Sequence, residues 1–253
     1  MAEPYTTFAT RDTPALIIYL IDVSASMISP MGSTWRVNVV QDALYAAMQT
    51  LVRYSSKGPL ISPRYRIAVY SYSDSVWDVL GGIRTIDVIA QYDPPQINTL
   101  RGTNAAAAFV AAKNLLLAEL PHIQDHPAPL VCHLTDGEFD PQYSDPEPVA
   151  QEIMNMSVKD GNVLIENIFI SDKALWCEPI RDAQTWEGIL DNTLLGNQYA
   201  EKLRRMSSFI PEPYLRNMHE KGYQFKSGAR LFFPGDQPQM VSLGFQISTM
   251  TGL

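Results

Sequence analysis

The sequence predicts an α/β fold: a doubly wound, mostly parallel central sheet with helices on both faces. Two observations lead to this prediction. Short apolar runs of strand length alternate along the 253 residues with longer segments of helical periodicity. The first run, ALIIYLI at 15–21, is apolar apart from one tyrosine hydroxyl, as is typical of a strand buried on both faces of a parallel sheet.

The other elements follow in alternating order. A five-turn amphipathic helix is predicted over 35–56, because apolar residues recur at helical spacing in that segment. An alanine-rich helix is predicted over 105–120, with Thr103 and Asn104 placed to cap it. Further helices are predicted at 146–158, 197–209 and 238–250. Strands are predicted at 65–74, 129–137, 162–171 and 229–233, with a hairpin or tight return over 76–87.

The domain count follows from this continuity. No internal repeat or low-complexity linker interrupts the alternation, so residues 1–253 are predicted to form a single domain. Residues 172–227 are unusually long for one strand-to-strand connection, and we interpret them as an extended helical connection or an insertion. One hypothesis gives this insertion a role in partner specificity through Trp176 and Trp186; the alternative is that it supplies packing helices.

Charge and composition exclude several classes of partner. The formal net charge is −8 and the 19 basic residues are scattered, which argues against nucleic acid or an anionic membrane. No apolar run approaches the roughly 20 residues that span a bilayer. The first residues lack the basic and apolar regions of a signal peptide, so the expected location is cytoplasmic. The two cysteines form no pattern typical of zinc sites or disulfide scaffolds.

Five polar residues fall where predicted strands end or a helix begins. Asp22, Ser24 and Ser26 follow the first strand, Thr103 precedes the alanine-rich helix, and Asp136 ends the segment VCHLTD. In a doubly wound sheet, the carboxyl ends of the strands share one edge, where ligands bind. Two carboxylates and three hydroxyls at that edge would make an all-oxygen site, which suits Mg²⁺ and which Mn²⁺ tolerates.

The DVSAS, RGTN and LTDGE segments, in this order, resemble the metal-ion-dependent adhesion site of von Willebrand factor type A domains. The resemblance covers roughly residues 13–250. It implies that Ser24, Ser26 and Thr103 coordinate a metal through their hydroxyls, while Asp22 and Asp136 act directly or through bound water. Ala25 stands where relatives often have glycine, a change that removes no ligand.

The same resemblance implies a partner protein. A divalent ion held mainly by hydroxyls and waters keeps an exchangeable position, which a Glu or Asp carboxylate or a phosphate from the partner would fill. Ile28, Met31 and Trp35 border the site as candidate apolar contacts, although Trp35 also suits packing at its helix start. A rim of acidic residues would oppose an acidic partner if it faced the site, and solvated loops are the alternative; these residues are Asp74, Glu138, Asp140, Asp145 and Glu147.

Enzymatic interpretations are weaker. Ser24, His133 and Asp136 suggest a triad, but strand positions three apart point to opposite faces, so His133 is expected in the core or on the second face. A Mg²⁺-dependent phosphoryl-transfer enzyme with Asp22 as nucleophile is the better rival, although Ser24 occupies the position where a second aspartate is usual. The sequence has no P-loop and no general acid or base near the site. We therefore expect a protein without turnover.

The finer resemblance is to bacterial stand-alone members of the family, such as the tellurite-resistance-associated group. It is based on the compact length, the segment ARLFFPGD at 229–236 and the segment FQISTM at 245–250. It implies an intracellular scaffold in bacterial stress or defence.

Overall fold

The computed structural model describes residues 3–31, 33–92, 102–136, 139–170, 180, 182–235 and 238–248. The strands are β1 (Ala15–Asp22), β2 (Pro30–Met31), β3 (Thr34–Trp35), β4 (Ser56–Lys57), β5 (Leu60–Ile61), β6 (Tyr65–Tyr72), β7 (Val76–Asp78), β8 (Arg84–Thr85), β9 (Leu130–Thr135), β10 (Ser157–Val158), β11 (Gly161–Asn162), β12 (Leu164–Phe169) and β13 (Phe232–Pro234). The α-helices are α1 (Arg36–Ser55), α2 (Ile86–Ile89), α3 (Ala105–Glu119), α4 (Glu147–Met154), α5 (Gln198–Arg205), α6 (Glu212–Glu220) and α7 (Pro238–Ser248).

In the described part of the chain, seven strands form the central sheet, in the order β13-β12-β9-β1-β6-β7, with β8 also paired to β6. The pairs β1–β6, β1–β9, β9–β12 and β12–β13 are parallel. The chain passes from β1 to β6 on one side and later to β9 on the other, so strand order reverses at β1. This is the topology predicted from the sequence, and the polar end of β1 lies at the reversal point.

Each face of the sheet is covered by helices. The front face packs on α1, α6 and α7 through residues such as Ile17, Tyr19 and Leu134. The back face packs on α3 and α4 through residues such as Leu20, Val131 and Ile165. Every residue of β1 is buried, as the apolar run predicted. The mostly parallel, doubly wound α/β fold is therefore confirmed.

Two local predictions differ from the structure. β7 and β8 do not pair with each other as a hairpin; both run antiparallel to β6, with Asp78 opposite Tyr70 and Thr85 opposite Arg66. β6 has eight residues and its partners are two and three residues long, so both fit consecutively along one edge. The helix predicted at 146–158 ends at Met154, because residues 157–162 form the small β10–β11 hairpin.

The long connection contains α5 and α6 separated by irregular segments, with residues 171–179 and 181, including Trp176, outside the described part. Trp186 packs edge-on against Phe225 and Phe233, with ring centroids 5.5 and 5.8 Å away. These contacts give Trp186 a packing role in the front core. In the described part of the chain, no helix combines the length and apolar character needed to cross a membrane.

Candidate functional site

Asp22 is the last residue of β1 and its side chain is fully buried. Both carboxylate oxygens accept hydrogen bonds: Oδ1 from the backbone N–H of Ser24 at 2.9 Å and Oδ2 from the Thr135 hydroxyl at 2.7 Å. The second bond joins β1 to β9, since Ile21 and Leu134 are in register and the next residues share a face. The geometry fixes the carboxylate at the edge of the sheet.

Ser24 directly precedes a single 3₁₀ turn at Ala25–Ile28, and Ser26 lies within that turn. Their hydroxyl oxygens are 2.9 Å apart, with Ser24 buried and Ser26 half-buried. Ala25, which lies between them, is exposed. The two hydroxyls therefore form one pair of oxygen donors beside Asp22.

Thr103 is buried at the same edge and is positioned by its neighbours. The Asn104 backbone N–H donates to the Ser73 carbonyl at 2.6 Å, and the Asn104 side chain caps α3 by accepting from Ala107 N–H at 3.1 Å. Gly102 has φ +81°, and a Cβ there would lie 3.0 Å from the Asp74 Cβ. Glycine at 102 therefore allows the loop to approach the end of β6, the strand beside β1.

Asp136 directly follows β9 and is buried. Its Oδ2 lies 3.3 Å from the guanidinium Nη1 of Arg36, the first residue of α1. The exposed fractions of the two side chains are 10% for Arg36 and 2% for Asp136. The structure thus places a buried ion pair inside the predicted metal site.

The electrostatics of this edge suit a cation. Burial, and then the negative charge of Asp136, raises the pKa of Asp22 to about 7, although hydrogen bonds from Ser24 and Thr135 act in the opposite direction. Two buried carboxylates that oppose each other's ionisation are stabilised by a positive charge between or beside them. Together with the serine hydroxyl pair, they make a donor set that fits a hard divalent ion.

The carboxylates are few. Among the residues that the structure describes, no group of three or more His, Cys, Asp or Glu side chains could hold a metal. The predicted set has only two carboxylates and depends on hydroxyls for its remaining protein ligands. A site of this composition would leave a bound divalent ion short of negative charge.

His133 lies next to the candidate site rather than within it, because its partner Tyr72 is close enough to Asp22 for that carboxylate, after burial, to raise the pKa of the Tyr72 hydroxyl. It is fully buried on the back face, where Nε2 lies 2.7 Å from the Tyr72 hydroxyl and Nδ1 lies 2.7 Å from Asn167 Oδ1. These contacts separate it from Asp136, which pairs with Arg36 on α1. The prediction of a core histidine is confirmed, and the Ser24–His133–Asp136 triad is excluded by this geometry.

The surroundings of the site include exposed apolar side chains. Ile28 and Trp35 are each 48% exposed, whereas Met31 is buried. Of the acidic rim, Asp145 pairs with Lys202 at 3.1 Å, and Glu147 receives two bonds from Arg205 at 2.7 and 2.9 Å. Glu138 lies outside the described residues.

Sequence reasoning missed two residues of this site. Thr135 becomes visible only when β1 and β9 are aligned in register, because it then falls beside Asp22 on one face. Arg36 carried no signal at all: the helical pattern of apolar residues begins at Val37, and an arginine in a helix is ordinarily solvated.

The comparisons with known proteins show a similarity of fold. No protein-family model matches this sequence, and a search of curated proteins finds no match. Proximal thread matrix protein 1 from the mussel byssus is 15% identical, with a TM-score of 0.52, over 94% of this chain and 48% of that one. The same protein with a zinc-occupied MIDAS motif gives the same values. A von Willebrand factor type A structure from Catenulispora acidiphila is 16% identical, over 67% of this chain and 39% of that one, with a TM-score of 0.46.

This chain therefore spans about half the length of the mussel chains that it matches. At this level of identity, the likeness shows a shared fold.

Proposed function

We propose that this chain is a von Willebrand factor type A domain that binds another protein through a divalent cation. The proposed ligands are Asp22, Ser24, Ser26, Thr103 and Asp136, and the proposed ion is Mg²⁺, with Mn²⁺ as a substitute. The observation that carries the proposal is the edge of the sheet where Asp22 and the serine hydroxyl pair meet Asp136. The mussel protein with a zinc-occupied MIDAS motif supports it by fold.

The bound ion would supply an electrophilic position that accepts an oxygen from the partner. The chain's own residues do the rest. The two hydrogen bonds to Asp22 hold its carboxylate in one orientation, so it is prepared to accept a bond from a metal-bound water. The hydroxyl pair is already at ligand-like spacing, and uncharged hydroxyls leave the ion's charge available to an acidic partner.

The partner we propose is a protein that offers a Glu or Asp carboxylate, or a phosphate. Ile28 and Trp35 supply apolar contact area beside the site, as is usual for the desolvated centre of an interface. Two of the rim acids are already paired with cations, so less of their charge opposes an incoming anion.

Asp22 is poorly placed to be a phosphoryl acceptor. A nucleophile must reach its substrate, yet this side chain is fully buried and both of its oxygens accept hydrogen bonds. The arrangement orients a carboxylate and shields it. We therefore propose a binding site without turnover.

The finer assignment, a cytoplasmic scaffold in bacterial stress or defence, also belongs to this proposal and has only the sequence resemblance behind it. Pull-downs from bacterial lysate with Mg²⁺ or with a chelator would test it. Partners that are lost with chelator and belong to a stress or defence complex would support the assignment.

The first experiment is a calorimetric titration of metal-stripped protein with Mg²⁺ and with Mn²⁺. Saturable binding is expected in the wild type and none in the double variant Ser24→Ala/Ser26→Ala. The matched control is Ser33→Ala/Ser75→Ala, which removes two exposed hydroxyls from the same region and is expected to bind as the wild type does. Equal binding by a folded Ser24→Ala/Ser26→Ala protein would refute the site.

The second experiment addresses the partner group. Immobilised peptides carrying a single Glu, Asp or phosphoserine, and the same peptides with Gln, Asn or Ser, are probed with the metal-loaded protein. Retention of the acidic peptides that chelator abolishes is expected. Retention that chelator leaves unchanged would contradict a metal-mediated contact.

A further inference from the structure

A buried arginine shares the candidate site with its two carboxylates. Arg36 donates to Asp136 at 3.3 Å, and its backbone N–H donates to the Ser29 carbonyl at 3.1 Å, which fixes the start of α1 against the loop after the 3₁₀ turn. An arginine side chain carries a permanent positive charge. Any cation that binds Asp136 therefore meets a permanent positive charge a few ångströms away.

The position of this arginine is unfavourable on its own. The first turn of a helix carries a partial positive charge, which opposes a cation there, and the first turn of α1 contains no acidic residue. Burial adds a desolvation cost. The ion pair with Asp136 offsets part of both costs.

We propose that Arg36 sets the metal affinity of this site by competing with the divalent cation for Asp136. The inference rests on the proposed function, since it concerns the same five ligands. In metal-free protein, the guanidinium compensates the carboxylate charge and holds α1 to the end of β9. In metal-loaded protein, the guanidinium repels the ion, because interactions between charges are strong where water is excluded.

The consequence is a weakened resident site. With Arg36 present, the positive charges of arginine and a divalent ion exceed the two negative charges of Asp22 and Asp136. An acidic group from a partner supplies the missing negative charge, so metal and partner are expected to bind together more tightly than either does alone.

The test uses neutral replacements at this position. Arg36→Met keeps the apolar stem and removes the charge, Arg36→Gln keeps a donor for Asp136, and Arg36→Lys keeps the charge. Arg53→Met, at the exposed end of the same helix, is the control. Mg²⁺ and Mn²⁺ affinities are measured by calorimetry at fixed ionic strength, and thermal unfolding midpoints are measured in chelator and with metal.

Arg36→Met and Arg36→Gln are expected to bind both ions about tenfold more tightly than the wild type. Arg36→Lys and Arg53→Met are expected to stay within about twofold of it. In chelator, the two neutral variants should unfold at a lower temperature than the wild type, with the loss recovered on adding metal. If Arg36→Met does not fold, the metal affinity of Arg36→Gln alone tests the proposal.

Metal affinity in both neutral variants equal to or weaker than that of the wild type would overturn the role of Arg36 and leave the proposed function standing. Absence of binding in the wild type and in every folded variant would overturn both. The two failures are therefore distinguishable.

Discussion

Two buried polar side chains on neighbouring strands are accommodated in opposite ways. His133 of β9 lies on the back face within a hydrogen-bonded network, whereas Glu166 of β12 lies on the front face. Neither carboxyl oxygen of Glu166 has a hydrogen-bond partner of good geometry among the described residues. Hydrogen bonds therefore offset the desolvation cost of burying His133, whereas the cost of burying Glu166 is left largely uncompensated.

The back-face network extends through Asn167. Its side-chain nitrogen donates to the Ser207 hydroxyl at 2.9 Å and to the Met206 and Leu203 carbonyls at 3.2 and 3.4 Å, so its oxygen must accept from His133 Nδ1. His133 Nε2 then accepts from the Tyr72 hydroxyl. The chain of bonds joins β6, β9 and β12 to the end of α5.

On the front face, Glu166 lies in register with Cys132 and beneath α7, where a Cβ on Gly244 would lie 3.6 Å from Glu166 Oε1. Burial raises the pKa of Glu166 well above 4.5, and the weak donor Cys132 lowers it only in part. The carboxyl group is therefore protonated over a wider pH range in the folded protein than in the unfolded chain.

The largest expected effect comes from breaking the satisfied network. Asn167→Ala leaves donors and acceptors of His133, Ser207 and the end of α5 buried without partners, and should lower the free energy of unfolding by about 3 kcal/mol. Urea denaturation measures it. Asn162→Ala, at an exposed position just before the same strand, is the control and should stay within about 0.5 kcal/mol of the wild type. A loss no larger than the control's would mean that the network contributes little.

The opposite change is expected to stabilise the front face. Glu166→Met replaces the carboxyl group by an apolar chain of similar length and should raise the free energy of unfolding by about 2 kcal/mol at pH 8. The pKa of Glu166 is higher in the folded protein than in the unfolded chain, so its protonation stabilises the folded state in full below pH 4.5. This contribution to the free energy of unfolding is lost in the window between pH 4.5 and the folded-state pKa. The wild type should therefore lose about 1.4 kcal/mol per pH unit relative to the variant in that window. Parallel pH profiles of the two proteins would contradict the assignment.

His133 is expected to reduce the stability of the folded protein as the pH falls. Burial lowers the pKa of His133 from 6.5 to about 4, so the unfolded chain binds the proton first as pH falls. Stability from this residue is complete above pH 6.5, declines between 6.5 and 4, and is lower by about 2 kcal/mol at pH 5. The difference in unfolding free energy between wild type and His133→Gln, followed from pH 7 to pH 4, measures it. A difference that does not change with pH would show that His133 is not the titrating group.

The smallest expected effect concerns α7, the helix that covers Glu166. A Cβ on Gly244 would lie 2.6 and 2.7 Å from the Cδ1 and Cγ1 atoms of Ile168, so Gly244→Ala must displace α7 or the isoleucine. Overpacking costs about 1–3 kcal/mol, and the helix propensity of alanine returns about 1 kcal/mol. A net loss of about 1 kcal/mol is expected in thermal unfolding, against no loss for the exposed Ser242→Ala on the same helix. Stabilisation by Gly244→Ala would mean that α7 moves away freely.

The sequence predicted the features of this fold that depend on local pattern. The run before Asp22 identified β1, and the period of two in a strand placed His133 away from Asp136. It did not predict features that depend on register. Thr135 donates to Asp22 only because β1 and β9 align as they do. No sequence pattern indicates that Glu166 is buried without a hydrogen-bond partner of good geometry among the described residues.

The same distinction between local pattern and tertiary packing applies to the candidate site. The five predicted ligands are named by motif, and each lies at or beside the carboxyl end of a strand or the start of a helix. The ion pair of Arg36 with Asp136 joins residues 100 positions apart, and no local pattern marks it. An ion pair that forms only through tertiary packing cannot be predicted from the sequence before the packing is known.

The margins of the sheet have a consequence for self-association. One margin is β13, three residues that end at Pro234, and the other is formed by β7 and β8, of three and two residues. A strand from a second molecule would find few free backbone groups in a row at either margin, and a proline has no N–H to offer. Within the described residues, neither margin offers a long template for the edge-to-edge stacking that leads to fibres.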